Sequence, residues 1–336
     1  MFKEKQKIIL NKSKSTYTFI RLLDLQGNHA QVWEGKDSNG KKIIIKYPNL
    51  KNIDETLWKD RIIRAKEEIS ILNKISKINK NTHIASIIDS DIIFINNYDS
   101  IPILILPFYS KKFPNSLGSI KINYDLNQAL EWIFQITQAL NHIHISGLIH
   151  RDLKPNNILI DGFNNIKLID FGVCKKEVTD TNATSTMFSN KWASPEQILP
   201  IDMRKDGEWI FKLTSSIDIY ALGLITYSLL TQGTETSYQI KGKDGYEKCR
   251  NRYWNKKPYR SKWIDEICKF AKLTKKDREQ FYQETSKLLN NSNTKLLNEI
   301  WDLISSLLSC NPIHRPKIEG IIFQLSNIKN ILEEKI

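Results

Sequence analysis

Short apolar runs broken by turn residues fill the first hundred positions. YTFIRLL (17–23), AQVWEGK (30–36) and KKIIIKY (41–47) are rich in β-branched and aromatic residues and predict strands. Between the last two, Asp37-Ser38-Asn39-Gly40 has the composition of a hairpin turn. From Glu55 to Ile78 the period lengthens to that of a helix, with Ile62, Ile63, Ile69, Leu72 and Ile75 as its apolar positions. DIIFI (91–95) and IPILILPF (101–108) return to strand character around the polar turn Asn96–Ser100. This stretch predicts a mostly antiparallel sheet carrying one long helix.

The pattern changes after Tyr109. Leu126 to Ser146 is strongly amphipathic, with Ala129, Trp132, Ile133, Ile136, Ala139, Leu140 and Ile143 on one side. Two short runs, NILID (157–161) and IKLID (166–170), bracket the turn Gly162-Phe163-Asn164-Asn165. Helical periodicity then dominates, notably over Ile217–Thr231, Lys295–Leu308 and Ile318–Leu332. There is no internal repeat and no long Pro/Gly/Ser linker. The seam between a sheet-rich part, 1–108, and a helical part, 109–336, is expected near Phe108–Lys112.

Composition narrows the classes. Of 336 residues, 40% are hydrophobic and 26% charged, which suits a globular chain and argues against wholesale disorder. The formal charge of +13 favours acidic partners in general, but a lysine-rich, solvated surface is the preferred account over any specific acidic partner. Cys174, Cys249, Cys268 and Cys310 form no CxxC pair and no zinc spacing, so reduced thiols in a reducing compartment are expected. His29, His83, His142, His144 and His314 share no metal spacing either, and His142 and His144 read as ordinary helix residues. MFKEKQKIILNKSK lacks the apolar core of a signal peptide, and no apolar run is long enough to span a bilayer. The expectation is a cytoplasmic protein without a membrane partner.

The most specific signal is His150-Arg151-Asp152-Leu153-Lys154-Pro155-Asn156-Asn157. It is followed, after one hairpin, by Asp170-Phe171-Gly172. Upstream, Lys46 ends the apolar strand Ile43-Ile44-Ile45, and Glu67 and Glu68 sit on the long helix. Downstream come Ala193-Ser194-Pro195-Glu196, Asp218 in DIYALG, and Arg315 in NPIHRP. Together these resemble the eukaryotic-type serine/threonine protein kinase family, over about Tyr17–Leu332. The resemblance implies an α+β, bilobal fold: a small antiparallel β-sheet lobe with one long helix, then a larger, mainly helical lobe.

It also implies roles. Asp152 would orient the attacking hydroxyl and take its proton, and Lys154 would stabilise charge on the transferring phosphoryl group. Asn157 and Asp170 would hold Mg²⁺, or Mn²⁺ in its place. Lys46 would bind ATP phosphates and pair with Glu68, with Glu67 the competing choice. Gly27, Val32, Ile44 and Leu159 would contact the nucleotide. Arg151, Ser189, Glu196, Asp218 and Arg315 would be structural, with Glu196 paired to Arg315, and His150 would support Phe171. Thr184, Ser185 and Thr186 are candidate activation-loop phosphosites, or merely part of a Thr/Ser-rich loop. Lys154 two residues after Asp152 favours Ser/Thr hydroxyls of a protein substrate.

The chain departs from the family pattern in two places. Of three expected loop glycines only Gly27 remains, with Leu25 and Ala30 in the other positions, and Ile44 replaces a small alanine. Both changes predict weaker or altered nucleotide binding rather than loss of activity. Two stretches are long for the family, Pro200–Ser215 and Thr234–Lys295. Tyr238–Trp263, in the second, is basic and aromatic. An acidic partner is conceivable there and nucleic acid is not expected; an insert packing its own Trp254 and Trp263 is the simpler reading. The rival readings are a pseudokinase scaffold and, lower, a small-molecule phosphotransferase. Oligomeric state is not legible.

Overall fold

The structure is a computed structural model that describes residues 2–23, 29–51, 53–78, 83–95, 100–114, 116, 123–176, 191–198, 214–240, 268, 271–289 and 293–333. The chain divides into two compact units, Met1–Ser110 with Ile169–Cys174, and Lys111–Leu168 with Lys175–Ile336.

The first unit is built on β1 (Lys7–Ile9), β2 (Thr16–Leu23), β3 (Ala30–Lys36), β4 (Lys42–Pro48), β5 (Asp89–Phe94) and β6 (Ser100–Pro107), with α1 (Glu55–Ile78) between β4 and β5. The strands form one antiparallel sheet in the order β1-β2-β3-β4-β6-β5. Its core follows from alternation along each strand: Phe19, Ile43, Ile45, Tyr47, Ile101, Ile103 and Ile105 are almost wholly buried. The β3–β4 turn closes as its composition demands. The Asp37 carboxylate accepts the Asn39 and Lys41 backbone N–H groups, both at 2.9 Å, and Gly40 takes φ +78°, which side chains disfavour. The sheet also curls. The loop after β1 reaches the far edge strand β5, where Asp91 accepts the backbone N–H groups of Asn11 and Lys12, and Tyr17 donates to Asp89.

On α1, Ile62, Leu72 and Ile75 are buried as expected, but Ile63 is 54% exposed. Glu68 is buried on this helix instead. The apolar stripe is therefore narrower than the spacing suggested, and a carboxylate shares it.

The second unit contains β7 (Lys111–Lys112), α2 (Leu126–Ile145), β8 (Leu148–Ile149), β9 (Ile158–Ile160), β10 (Ile166–Leu168), β11 (Lys175–Lys176), α3 (Pro195–Ile198), α4 (Ser216–Leu230), α5 (Lys275–Ser286), α6 (Thr294–Leu307) and α7 (Ile318–Glu333). Asp125 caps α2 by accepting the Gln128 N–H at 2.8 Å. α4 is buried from Ile217 to Leu230, as a helix apolar on all sides must be. α2 packs against α7 and α4, and α4 against α6. At Gly223 an added Cβ would lie 2.9 Å from the Leu307 Cβ, so only glycine permits this approach of α4 to α6. The expected α+β class, with a sheet-rich unit and a helical one, is what the structure has.

One expectation is corrected. Cys268 and Cys310 form a disulfide, with Cα atoms 5.4 Å apart, and Cys174 is buried and takes no part in it. The thiols are not all reduced, which removes the ground on which a reducing compartment was expected. Cys249, Trp254 and Trp263, with most of Tyr238–Trp263, lie outside the described residues. Among the described residues, no helix is long and apolar enough to cross a membrane.

Candidate active site

In the first unit, β4 presents Ile43, Ile45 and Tyr47 to the core, so Ile44 and Lys46 fall on the opposite face. Val32 of β3 lies directly across from Lys46. The Lys46 ammonium donates to Glu68 Oε1 at 2.7 Å and to Asp170 Oδ1 at 2.9 Å. Glu68, rather than Glu67, is the α1 carboxylate at this lysine. Burial alone would push the Lys46 ammonium down; the Asp170 and Glu68 carboxylates outweigh it and hold Lys46 above the ordinary lysine value. Asp170 itself has φ +65°, unusual for a residue with a side chain, and Phe171 beside it is buried.

In the second unit, the tight turn at Pro155–Asn157 folds the chain back on Asp152. Lys154 Nζ donates to Asp152 Oδ2 at 2.5 Å. Asn157 Nδ2 donates to the Asp152 carbonyl at 2.8 Å and to Oδ2 at 3.2 Å. These donations use the Asn157 nitrogen and turn its amide oxygen to the other side. Leu159 follows in β9, half-buried.

The catalytic-loop candidate is anchored from below. Asp218, in the first turn of α4, accepts the backbone N–H of His150 at 2.8 Å and of Arg151 at 2.9 Å. His144 Nε2 lies 2.9 Å from the same carboxylate. Burial would raise the Asp218 carboxyl, but the bonds from His144 and the His150 backbone hold it below the usual range. His144 is therefore no ordinary helix residue. Its partner is 74 positions away, which spacing within α2 could not reveal.

Glu196 and Arg315 meet as a bidentate pair at 2.5 and 2.9 Å, both fully buried. The guanidinium also donates to the carbonyls of Ser309, Ser216 and Cys310 and stacks over Tyr220 at 4.8 Å. Gly27, Thr184, Ser185, Thr186 and Ser189 lie outside the described residues.

Each unit by itself has one candidate cluster: in the first a charged lysine between two carboxylates, which suits a polyanionic group, and in the second a carboxylate flanked by an ammonium and an amide, which suits moving a proton. Among the described residues, no cluster of three or more His, Cys, Asp or Glu could hold a metal ion.

Comparison with known proteins points to one family. The family model described as protein kinase domain matches residues 25–325. A probable serine/threonine-protein kinase of Dictyostelium discoideum is 35% identical over 117 residues, covering 35% of this chain and 12% of that protein. Serine/threonine-protein kinase PrkC of Bacillus subtilis is 40% identical over 106 residues, 31% of this chain and 15% of the relative. Cyclin-dependent kinase F-4 of Oryza sativa is 32% identical over 197 residues, 57% of this chain and 38% of the relative. The chain thus spans well under two thirds of these relatives' own lengths. With a family model matched over most of its length, the chain belongs to the protein kinase family.

Proposed function

We propose that this protein transfers the γ-phosphoryl group of ATP to serine and threonine hydroxyls of a protein substrate. The observation that carries this is the convergence of Lys154 and Asn157 on the Asp152 carboxylate. Asp152 orients the acceptor hydroxyl and takes its proton, Lys154 offsets charge on the moving phosphoryl group, and Lys46, fixed by Glu68, binds ATP phosphates. Asn157 and Asp170 are oxygen donors of the kind a hard cation takes, and the Asp170 side chain is 44% exposed, so both suit Mg²⁺. When bound, Mg²⁺ neutralises phosphate charge and fixes the phosphates' orientation. Val32, Ile44, Leu159 and Gly27 belong, in this reading, to nucleotide binding.

Residues 1–108 then serve as the nucleotide lobe and 109–336 as the catalytic and substrate lobe. Autophosphorylation falls on Thr184, Ser185 or Thr186, with Arg151 as the phosphate's partner. The need for an ATP pool favours the cytoplasm, where the Cys268–Cys310 disulfide would be exposed to reduction. The test is phosphoamino-acid analysis of casein treated with the protein and Mg-ATP. Phosphoserine and phosphothreonine without phosphotyrosine are expected. Phosphotyrosine alone would refute the specificity.

A further inference from the structure

Arg151 is strained. Its φ of +71° lies in the left-handed region, which a residue with a side chain occupies only where its surroundings enforce it. Asp218 grips the peptide N–H groups of His150 and Arg151 from one side. The other side of the residue is held by Gln197, which follows Glu196 in α3. Gln197 Nε2 donates to the Arg151 carbonyl at 2.9 Å. That carbonyl belongs to the peptide unit joining Arg151 to Asp152, so its orientation sets the direction in which the Asp152 side chain leaves the backbone.

The other end of the amide is also engaged. Gln197 Oε1 accepts the Ser194 backbone N–H at 3.0 Å and the Ser194 hydroxyl at 3.2 Å. Gln197 and Ser194 are both buried, so water cannot take over the bonds between them, and the bond to Arg151 is part-buried. Arg151, Asp152, Trp192, Gln197 and Asp218 line one recess. A hydrophobic residue of similar length could fill the space, but it could neither donate to the Arg151 carbonyl nor accept from Ser194.

We infer that Gln197 is a positioning residue: it fixes the Arg151–Asp152 peptide, aims the Asp152 carboxylate, and ties it to the chain segment around Ser194. The inference rests on the proposed phosphotransfer, and its role is separate from that of the buried ion pair next to it. Gln197 bonds to the Arg151 carbonyl and to Ser194 and acts through Asp152. Losing it therefore affects the chemical step and leaves nucleotide binding alone.

The test uses the full chain with Mg-ATP and casein, comparing wild type, Gln197→Leu and Gln197→Glu. Gln197→Leu is expected to lower kcat about tenfold, with the KM for ATP changed by less than about twofold. Gln197→Glu keeps the acceptor for Ser194 but loses the donor to Arg151. It regains that donor when its carboxyl is protonated, which burial against a carbonyl favours. Its activity relative to wild type should therefore rise several-fold between roughly pH 8 and pH 6. Thermal unfolding of each variant separates misfolding from mispositioning. An active wild type with Gln197→Leu and Gln197→Glu at full kcat overturns the inference and leaves the kinase reading intact. So does a loss in Gln197→Glu that acid does not reverse. A wild type without phosphotransfer overturns the kinase reading, and this inference with it.

Discussion

Replacing Arg315 by leucine is the sharpest structural perturbation available. The guanidinium makes two buried bonds to Glu196 and three part-buried ones to the carbonyls of Ser309, Ser216 and Cys310. Leucine fills part of the space and satisfies none of them. Stranding one member of a buried ion pair costs about 3–5 kcal/mol, a large share of the stability of a domain. Glu196 can escape its isolation by taking a proton, and loading a proton at pH 7 onto a carboxyl of ordinary acidity costs about 3.7 kcal/mol. The two figures agree, and together they fix a pH signature. The folded variant holds a proton that its unfolded chain lacks, so its stability relative to wild type falls as pH rises. Lowering the pH from 7 to 5.5 should then shrink the deficit by about 2 kcal/mol. Urea unfolding followed by far-UV circular dichroism, at both pH values, measures this. Glu196→Gln combined with Arg315→Leu should recover part of the loss, since no ion is then stranded. A cost below about 1 kcal/mol, or one independent of pH, would refute the reasoning.

Other outcomes follow from the same geometry. Lys46→Met should abolish phosphotransfer while the protein stays folded; a variant with wild-type activity would remove Lys46 from the site. Asp218, whose carboxyl is held low, contributes stability that is present above about pH 4 and lost as pH falls further. The difference in melting temperature between wild type and Asp218→Asn should accordingly narrow in acid, and a constant difference would contradict the assignment. Alkylation of the unfolded protein should leave Cys268 and Cys310 unlabelled until a reductant is added. The disulfide closes a loop with a sequence separation of 42 residues, so its reduction should lower stability by up to about 4 kcal/mol, measured by urea unfolding.

Much of the fold was legible because its longer elements have clean periods. β3 covers 30–36 and α1 covers 55–78, as their patterns predict. β1 escaped notice because three residues beside lysines carry no alternation; its partner in β2 and the anchor on Asp91 hold it in place. α5 was missed for the opposite reason. It is a polar surface helix with little apolar face, although Thr274 and Asp277 form a capping box that could have announced its start. The site motifs were readable because their chemistry is local: Asp152, Lys154 and Asn157 lie within one turn of chain. What the sequence concealed is long-range. His144 reaches Asp218, Gln197 reaches the Arg151 carbonyl 46 positions back, and Cys268 finds Cys310. No spacing rule connects such pairs, because the fold alone brings them together.

The central claim is that Asp152 supports phosphoryl transfer from ATP. Its most direct test is intact mass of the purified protein after incubation with ATP and Mg²⁺, beside Asp152→Ala. The account predicts added phosphates on the wild type, mapping to Thr184, Ser185 or Thr186, and none on the variant. Equal phosphate on both, or none on the wild type even with casein and Mn²⁺ supplied, would contradict it.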